Sequence, residues 1–369
     1  MTKIYLVRHA EAEGNLYRIA QGQDNSNLTD RGWRQVRALE RRFADVHIDA
    51  VYSSDLYRTC ATASAIYKPK GLPLIREKGL REISVGAWER LTWGEILLHW
   101  PEQLKYFGSR PDLWQVEGAE TAQEVLDRGL ATVRAIAAKH DGQTIALVAH
   151  GYIIRLVTSH LQGYKLEEMG KTPTGDNTCV ALLEYEDGDL RVVYRDDNSH
   201  LKTPEFLAGE KVFKRATAME PGLRFRPLEL PEQADLLCEL AEACWDGPFD
   251  RERILADAAV RPTQIGYLRD EPVGVIQTGP EADWISLLCI HPEYRQRGFG
   301  VQLLGQAVYH ARSAGRHQVY AARPRSEEGQ RFFAGYGFVP AEDANGCAIL
   351  RKDTGFDPEI LGEQEAAPR

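Results

Sequence analysis

Residues 5–15 read YLVRHAEAEGN, a short apolar run that ends in an Arg-His pair before the chain turns polar. The run Lys3–Arg8 is typical of a β-strand, and His9 follows directly where that strand ends. In open α/β sheets, side chains at the carboxyl ends of the strands converge on one crevice, where catalytic groups are usually found. The pair is therefore the first candidate for a reactive site, although a lone Arg-His pair is also a common surface feature.

The first half of the chain alternates strand-like and helix-like patterns. Apolar residues recur at helical spacing between the strand-like runs, and Thr29 or Asp30 can cap the first of these helices. This alternation predicts an α/β sheet with helices on its faces, which is a three-layer α/β/α domain. The predicted elements are Lys3–Arg8, Asp30–Phe43, Ala50–Tyr52, Leu56–Tyr67, Thr121–Lys139, Gln143–Ala149 and Gly151–Leu161.

A second strand–helix series begins near Leu223 and includes a helix predicted over Pro231–Trp245. It predicts a separate domain of mixed α+β type, because 369 residues exceed what one typical core accommodates. A charged stretch with Pro204 and Pro221 separates the two halves. The predicted divisions are 1–205 and 222–352 for the two domains, 206–221 for a linker, and 353–369 for a polar, disordered tail.

Composition limits the classes of function. The net charge of −9 and the pI near 5.7 argue against nucleic acid or an anionic membrane as the main partner. The apolar run Ile4–Val7 is too short for a signal segment, and no run approaches the roughly 20 apolar residues of a membrane span. The six cysteines are scattered without a CxxC pair, so we expect reduced thiols, no metal site and a cytoplasmic location.

The stretch YLVRHAEAEGN resembles the histidine phosphatase superfamily, which is also called phosphoglycerate mutase-like. The resemblance continues through QGQDNSNLTDRG, VYSSDLYRTCATA, GLREISVGAWE, VAHG and NSHL, in the family's order over about 200 residues. It implies that the first domain hydrolyses phosphomonoesters without a metal or other cofactor, and that His9 is phosphorylated during catalysis. A covalent intermediate of this kind splits one difficult hydrolysis into two easier displacements.

A phosphate ester is a dianion, so attack by a neutral imidazole requires a cationic cradle around the phosphoryl oxygens. The tautomer of His9 must also be fixed, and we expect a backbone carbonyl to bond its other ring nitrogen. The family's phosphate-contacting positions correspond here to Arg8, Arg58 and His150, and its substrate-binding positions to Asn15, Gln21, Gly22 and Gly151.

Glu82 corresponds to the family's general acid, which protonates the leaving oxygen and later takes a proton from water. The alternative is that Glu82 only pairs with its neighbour Arg81 at the surface. The sequence also departs from the commonest family motif, Arg-His-Gly-Glu-Thr/Ser, because Ala10 replaces the glycine and Ala12 the hydroxyl residue. The lost hydroxyl removes one phosphate contact and leaves the choice of substrate open.

The length of the first domain favours a phosphatase over a mutase. Mutases of this family carry an insertion after the glutamate motif, and their domain is longer than the predicted 1–205. The sequence looks most like the broad-specificity and α-ribazole phosphatase branch, and the segment Trp93–Trp114 is expected to form a lid. A phosphoglycerate-mutase-type phosphotransferase is the alternative.

Residues 287–308, LLCIHPEYRQRGFGVQLLGQAV, resemble the acyl-CoA motif of the GNAT acetyltransferase family. Glycines let a backbone approach a pyrophosphate closely, and the N-terminus of the following helix offers free N–H groups and a favourable dipole. The resemblance implies an acetyl-CoA site and an amine acceptor, with a strand amide that polarises the thioester carbonyl. The residues expected at this site are Leu288, Ile290, Arg295, Gln296, Arg297, Gly298, Gly300 and Val301.

The family's acid in this second domain is commonly a tyrosine, but that position holds Phe333 here, and an asparagine common seven residues earlier is Ser326. Tyr336 lies nearby but out of register. The leading hypothesis is a bifunctional phosphatase and N-acetyltransferase, and the alternative is a phosphatase regulated by a non-catalytic acyl-CoA-binding module. The sequence leaves four questions open. These are the identity of the physiological ester, the identity of the amine, whether the two sites are coupled, and whether the protein forms a homodimer.

Overall fold

Two β-sheets organise the chain. The computed structural model describes residues 1–210, 222–245, 248–343 and 346–361, and the statements below concern these residues. The strands of the first sheet are β1 (Thr2–Arg8), β2 (Ala50–Ser53), β3 (Leu74–Arg76), β4 (Thr144–Ala149), β5 (Val180–Glu186) and β6 (Asp189–Asp197). The helices around it are α1 (Glu13–Tyr17), α2 (Asp30–Phe43), α3 (Tyr57–Lys70), α4 (Trp93–His99), α5 (Pro101–Ser109), α6 (Ala122–Ala137), α7 (Gly151–Leu161) and α8 (Pro204–Ala208).

The first sheet has the order β3-β2-β4-β1-β5-β6, with parallel strands from β3 to β1 and antiparallel pairing at the β5–β6 edge. β1 runs parallel to β4 up to Arg8, which lies opposite Ala149. Ser53 at the end of β2 lies opposite Val148. The carboxyl ends of β1, β2 and β4 therefore meet at one edge of the sheet, as the sequence pattern predicted.

The central strand β4 explains the layering of this domain. Its residues Ile145 and Leu147 pack in an apolar cluster with α6 and α7, while Ala146 and Val148 pack in another with α2 and α3. Successive side chains of a strand point to opposite faces, so a strand that is apolar throughout needs cover on both sides. The predicted three-layer α/β/α arrangement is confirmed.

The second sheet has the order β12-β13-β11-β10-β9-β8-β7, and its pairs are antiparallel except for β10 with β11. Helix layers cover both faces, which confirms the predicted mixed α+β type. None of the helices that the structure describes has the length and apolar character needed to cross a membrane. The strands are β7 (Arg224–Pro227), β8 (Thr263–Leu268), β9 (Glu271–Thr278), β10 (Trp284–Ile290), β11 (Gln318–Ala322), β12 (Val339–Glu342) and β13 (Ala348–Asp353), and the helices are α9 (Ala234–Glu242), α10 (Arg251–Val260), α11 (Gly300–Ser313), α12 (Glu327–Ala334) and α13 (Pro358–Leu361).

The helix predicted over Pro231–Trp245 is shorter at both ends, since α9 spans only Ala234–Glu242. Its buried residues lie between Leu237 and Ala241, well inside the shorter span. Trp245 is 45% exposed, so packing does not extend the helix to that residue.

The prediction of a disordered tail from Asp353 is wrong for residues 353–361. Phe356 packs against Tyr57 of α3 with ring centroids 4.8 Å apart, and Ile360 of α13 is 2% exposed in the same apolar cluster. Arg76 also donates a hydrogen bond to the Ile360 carbonyl at 2.7 Å. The polar composition of this segment concealed the apolar residues that fasten it to the first domain. Residues 362–369 lie outside the described part of the chain.

The predicted linker begins inside α8. Phe206 of that helix is buried against Ala38 and Leu201, and the guanidinium of Arg34 lies 4.9 Å from its ring centroid. Residues up to 210 therefore belong with the first domain in packing. Residues 211–221 of the predicted linker lie outside the described residues.

The two sheets are joined where α11 of the second domain packs against α1 of the first. Tyr17 and Ile19 form a buried cluster with Val301 and Val308. The contact is close because Gly305 has no side chain: a Cβ there would lie 2.5 Å from Tyr17 Cγ. The interface thus depends on a glycine in the middle of a helix.

We expect Gly305→Ala to destabilise the protein, although alanine is normally the better helix former by about 1 kcal/mol. The added methyl group overpacks against Tyr17, which is 1% exposed, and overpacking typically costs about 1–3 kcal/mol. Gly108→Ala in α5 is the control, because nothing lies within 4 Å of a Cβ there. Thermal unfolding should show a lower melting temperature for the first variant only. Equal melting temperatures for both variants would contradict the packing argument.

Candidate active site

His9 lies directly after β1 and is 5% exposed. Its Nδ1 is 2.7 Å from the Ala10 carbonyl oxygen. Because a carbonyl only accepts hydrogen bonds, Nδ1 carries the proton and Nε2 keeps its lone pair. Burial lowers the pKa of His9 well below its usual value, and the charges of Arg58 and Arg8 lower it further. The ring is therefore neutral at pH 7 with Nε2 available as a nucleophile.

Two side chains that the sequence analysis did not single out hold the backbone around His9. The buried hydroxyl of Thr62 accepts a hydrogen bond from the Ala10 N–H at 2.8 Å. The amide of Asn177 donates to the His9 carbonyl at 3.0 Å. Thr62 lies on α3 within one of the quoted family stretches, but nothing in the sequence marks Asn177, which lies 168 residues away.

Arg58 is the second residue of α3 and is 1% exposed. Its two terminal nitrogens donate to the carbonyls of Asp24 and Gly22, each at 2.8 Å. The family resemblance implies that Gly22 binds substrate, but its carbonyl accepts a hydrogen bond from Arg58 and the residue is not part of the cavity wall. A Cβ on Gly22 would lie 2.5 Å from the Ile83 carbonyl oxygen, so glycine is required for this close packing.

Arg8 and His150 approach His9 from β1 and β4. Arg8 donates to the Gly175 carbonyl at 2.7 Å and packs against Gly151, where a Cβ would lie 3.0 Å from Arg8 Nε. The ring of His150 is fully buried, with its centroid 5.4 Å from that of His9. Burial, and next the charge of Arg58, lower the pKa of His150 well below its usual value. Both His150 nitrogens are buried, and neither has a hydrogen-bond partner among the described residues.

The carboxyl group of Glu82 lies at the N-terminus of α7. It accepts hydrogen bonds from the backbone N–H groups of Tyr152 at 3.1 Å and Ile153 at 3.2 Å. Arg81 is directed elsewhere and forms an ion pair with Asp55, in which Nε is 2.6 Å from Oδ1. The alternative that Glu82 only pairs with Arg81 is therefore wrong.

A cavity of about 290 Å³ opens between these groups. Its far side is apolar and aromatic, and Trp93 and Phe107 of the predicted lid segment contribute to it. His150 lies behind the wall and Gly22 outside it. The predicted site residues in the wall itself are Arg8, His9, Asn15, Gln21, Arg58, Glu82 and Gly151.

Asn15 and Gln21 extend from the loop that carries α1. The Oδ1 atom of Asn15 accepts a hydrogen bond from the Ala12 N–H at 3.0 Å, so its Nδ2 group is the donor left for a ligand in the cavity that Asn15 lines. Gln21 is fixed at both ends of its amide. Nε2 donates to the hydroxyl of Tyr309 at 2.7 Å, and Oε1 accepts from Ser26 at 3.0 Å.

The acyl-CoA motif of the second domain forms an open turn before α11. Gly298 has φ +79°, a left-handed conformation that suits glycine. Helix α11 begins at Gly300, and no side chain caps its N-terminus. Uncapped N–H groups at a helix start form a ready anion site, so the turn fits a pyrophosphate.

The strand next to this turn fits a thioester. β10 and β11 are paired in register only at Trp284 and Ile285, so Leu288 and Ile290 have no strand neighbour on the β11 side among the described residues. Arg295 donates from Nε to the Ile290 carbonyl at 3.3 Å. The remaining predicted residues form the turn and the helix start: Gln296 has φ +60°, Arg297 stacks on Tyr294 and Phe299, and Val301 packs in the cluster with Tyr17.

The positions at which the second domain departs from its family have structural roles here. Phe333 is 8% exposed in the apolar core, and Ser326 caps α12 by accepting the Gly329 N–H at 3.2 Å. Tyr336 packs against Phe332 with centroids 5.1 Å apart, and burial raises its pKa to about 12. A phenol with a raised pKa is a weak proton donor, so Tyr336 is poorly suited to protonating a thiolate.

Comparison with known proteins agrees with both halves of this description. Residues 4–198 match the family described as "Histidine phosphatase superfamily (branch 1)", and residues 261–340 match the "Acetyltransferase (GNAT) domain". "Phosphoserine phosphatase 1" of Hydrogenobacter thermophilus (strain DSM 6534 / IAM 12695 / TK-6) is 30% identical over 187 residues, which cover 51% of this chain and 88% of that protein. "Metal-independent phosphoserine phosphatase" of Arabidopsis thaliana is 33% identical over 210 residues, covering 56% and 86% respectively.

Among solved structures, Bacillus stearothermophilus YhfR is 30% identical with a TM-score of 0.53. The match covers all of that chain but 55% of this one, so the second sheet has no counterpart there. The described residues also contain no cluster of three or more His, Cys, Asp or Glu side chains arranged to hold a metal ion. The chain belongs to branch 1 of the histidine phosphatase superfamily and carries a GNAT acetyltransferase domain at residues 261–340.

Proposed function

We propose that the protein is a bifunctional enzyme, with a phosphomonoester hydrolase that works through phosphohistidine at His9 and an acetyl-CoA-dependent N-acetyltransferase in the second domain. The observation that supports the first activity best is the fixed tautomer of His9. The Ala10 carbonyl holds the Nδ1 proton, so Nε2 keeps its lone pair, and His9 lines the same cavity as Arg8 and Arg58. This arrangement suits nucleophilic attack on a phosphate dianion.

In the first step, His9 Nε2 forms a bond to phosphorus while the ester P–O bond breaks. Arg8 and Arg58, which line the cavity, stabilise the negative charge on the phosphoryl oxygens. The family resemblance assigns His150 to the same oxygens, although its ring lies behind the wall in this structure. Glu82 gives its proton to the leaving oxygen, so the alcohol departs neutral. The products of this step are the alcohol and Nε2-phosphorylated His9.

In the second step, water attacks phosphorus on the opposite side from His9. Glu82, now a carboxylate, takes a proton from that water, and the bond from phosphorus to Nε2 breaks. Inorganic phosphate leaves and His9 returns to its neutral Nδ1–H tautomer. A mutase would instead transfer the phosphoryl group to a second alcohol at the same site, which is the alternative reaction for this geometry.

The far side of the cavity indicates an apolar leaving group. Trp93, Phe107 and Tyr152 line this side, and Tyr152 stacks on Phe107 with centroids 4.6 Å apart. Arg155 also lies in this wall, where it donates to Thr172 at 3.0 Å and to the Gly108 carbonyl at 3.0 Å. These acceptors are neutral, so the guanidinium keeps its positive charge. The aromatic side suits an aryl or alkyl leaving group, and the charge of Arg155 suits a substrate carboxylate such as that of phosphoserine, which the names of the two relatives specify.

The second domain offers acetyl-CoA an uncapped helix start at Gly300 and a diverging strand at Leu288 to Ile290. The thioester supplies an activated acetyl group once it is bound, and the free edge of β10 can orient its carbonyl. Transfer to an amine also needs a proton donor for the departing thiolate, and Phe333 cannot provide one. A non-catalytic acyl-CoA module is therefore the second candidate for this domain. Thiol release from acetyl-CoA with a panel of amines separates the two, since a module without transferase activity releases none.

Replacing His9 by alanine should abolish phosphatase activity. We expect the rate of p-nitrophenyl phosphate hydrolysis to fall by about a thousandfold or more, because the covalent route is lost. His160→Ala is the matched control, since His160 is an exposed histidine at the other end of α7 and should leave the rate unchanged. A substrate pulse should also leave acid-labile, base-stable phosphate on the wild-type chain only. Unchanged activity in the His9 variant would refute the proposed mechanism.

The pKa of His9 gives a second prediction. Its folded-state pKa is depressed, so the ring should stay neutral at pH 5.5, where an ordinary histidine with a pKa near 6.5 is about 90% protonated. The unfolded chain takes up this proton near pH 6.5 and the folded chain does not, so this group lowers stability as the pH falls below about 6.5. Nitrogen-15 spectra of histidine-labelled protein, assigned with His9→Gln, should show the Nδ1–H tautomer at pH 5.5. An imidazolium signal for His9 at that pH would contradict the prediction.

The acyl-CoA turn can be tested with two glycines of similar backbone conformation. Gly298 has φ +79° and Gly315 has φ +71°, and nothing lies within 4 Å of a Cβ at either position. Valine should therefore strain both backbones about equally, but only Gly298→Val obstructs the approach to the α11 N-terminus. We expect acetyl-CoA to raise the melting temperature of wild type and of Gly315→Val, and not of Gly298→Val. If acetyl-CoA still raised the melting temperature of Gly298→Val, its binding site would have to lie elsewhere.

A further inference from the structure

Gln21 is held from three sides. Its side chain lies against Gly14, where any Cβ would collide with it. The buried hydroxyl of Ser26 donates to its Oε1 atom, and its Nε2 group donates to Tyr309. Two of these contacts come from the first domain, while Tyr309 lies on α11 of the second domain, 288 residues away in sequence.

The position of Tyr309 is itself fixed by the helix that carries it. Val301, Gly305, Val308, Tyr309 and Arg312 recur at helical spacing and face the first domain. Gly305 brings the helix close to Tyr17, and Val301 and Val308 bury against the same ring and Ile19. Burial raises the pKa of the Tyr309 phenol above its usual range, so the hydroxyl stays protonated and neutral.

An ion pair secures the same face one turn further on. Arg312 Nη2 is 2.9 Å from Glu13 Oε2, and the Glu13 side chain is only 4% exposed. The same carboxylate oxygen accepts the Asn27 N–H at 3.1 Å, so the buried charge has a cation and a backbone donor. Glu13 begins α1, the short helix that also carries Asn15 and precedes Gln21.

From these contacts we propose that Tyr309 is a positioning residue of the phosphatase site, contributed by the GNAT domain. Its hydroxyl, together with Ser26, fixes the Gln21 amide so that one Nε2 hydrogen remains to contact the leaving group of the ester. The proposal rests on the phosphatase function proposed above. It adds that the substrate-binding side of that site is incomplete without the second domain.

The test is Tyr309→Phe, which removes one oxygen and preserves the packing of the ring. We expect the KM for an aryl phosphate to rise about threefold to tenfold, with kcat within about twofold of wild type. The inhibition constant for inorganic phosphate should not change, because Gln21 acts on the leaving group and not on the phosphoryl group. A general disturbance of the fold would instead weaken ester and phosphate binding together and would overturn the proposal.

Gln21→Leu tests the same hydrogen bond from the other domain. It should raise KM at least as much, and the double variant should behave like Gln21→Leu alone, because Tyr309 acts through Gln21. Additive effects in the double variant, or a KM within about twofold of wild type for Tyr309→Phe, would overturn the proposal. If Tyr309→Phe fails to fold, Gln21→Leu still tests the proposal. An unchanged inhibition constant for inorganic phosphate in this variant would support a role of Gln21 at the leaving group, and weaker inhibition by phosphate would overturn it.

Tyr267→Phe is the matched control. Tyr267 accepts a hydrogen bond from Gln233 at 3.3 Å within the second domain, so this variant removes the same kind of contact away from the interface. Its KM and kcat should equal those of wild type. The outcome is separable from the proposed function itself: loss of activity in His9→Ala with wild-type kinetics in Tyr309→Phe would keep the phosphatase and reject the positioning role.

Discussion

The parallel pairing of β1 with β4 is the constraint on which the site depends. With Arg8 opposite Ala149, the residues that follow the two strands are His9 and His150, and their ring centroids lie 5.4 Å apart. A slip of one residue would turn every side chain of β1 to the opposite face of the sheet. The apolar clusters on both faces oppose such a slip, so the energy that packs the core also holds the two histidines together.

The chain is acidic overall, yet its phosphatase site is cationic because the arginines there donate hydrogen bonds to backbone carbonyls. Arg58 donates to backbone carbonyls of Asp24 and Gly22, and Arg8 donates to a backbone carbonyl as well. Carbonyl oxygens orient a guanidinium without neutralising it, so both positive charges remain available to a phosphate. Arg81 shows the contrast, because its charge is compensated by Asp55. Burial, and next the charges of Arg58 and Arg8, keep His9 neutral and therefore nucleophilic.

The sequence predicted those functional residues that lie within short, recognisable stretches of the chain. Strand ends and family stretches located His9, Arg58 and Glu82, and the turn before α11 was visible from its glycines. Contacts between distant segments were not predictable, because no pattern in one sequence marks Asn177 as a partner of the His9 carbonyl. The tail was predicted wrongly for a related reason. Phe356, Ile360 and Leu361 are few apolar residues in a polar segment, and they are buried only because α3 lies beside them.

Helix α11 belongs to both candidate sites. Tyr309 follows Gly300 by nine residues, so at about 1.5 Å per residue the uncapped helix start and the Gln21 contact are separated by about 14 Å along one axis. Sharing a helix does not by itself couple two sites, since coupling needs an element with two arrangements. Because α11 takes part in both sites, its sequence has to satisfy the requirements of each. Gly300 faces the acyl-CoA turn, while Gly305, Tyr309 and Arg312 must fit the first domain, so the second domain is matched to this particular phosphatase through one helix.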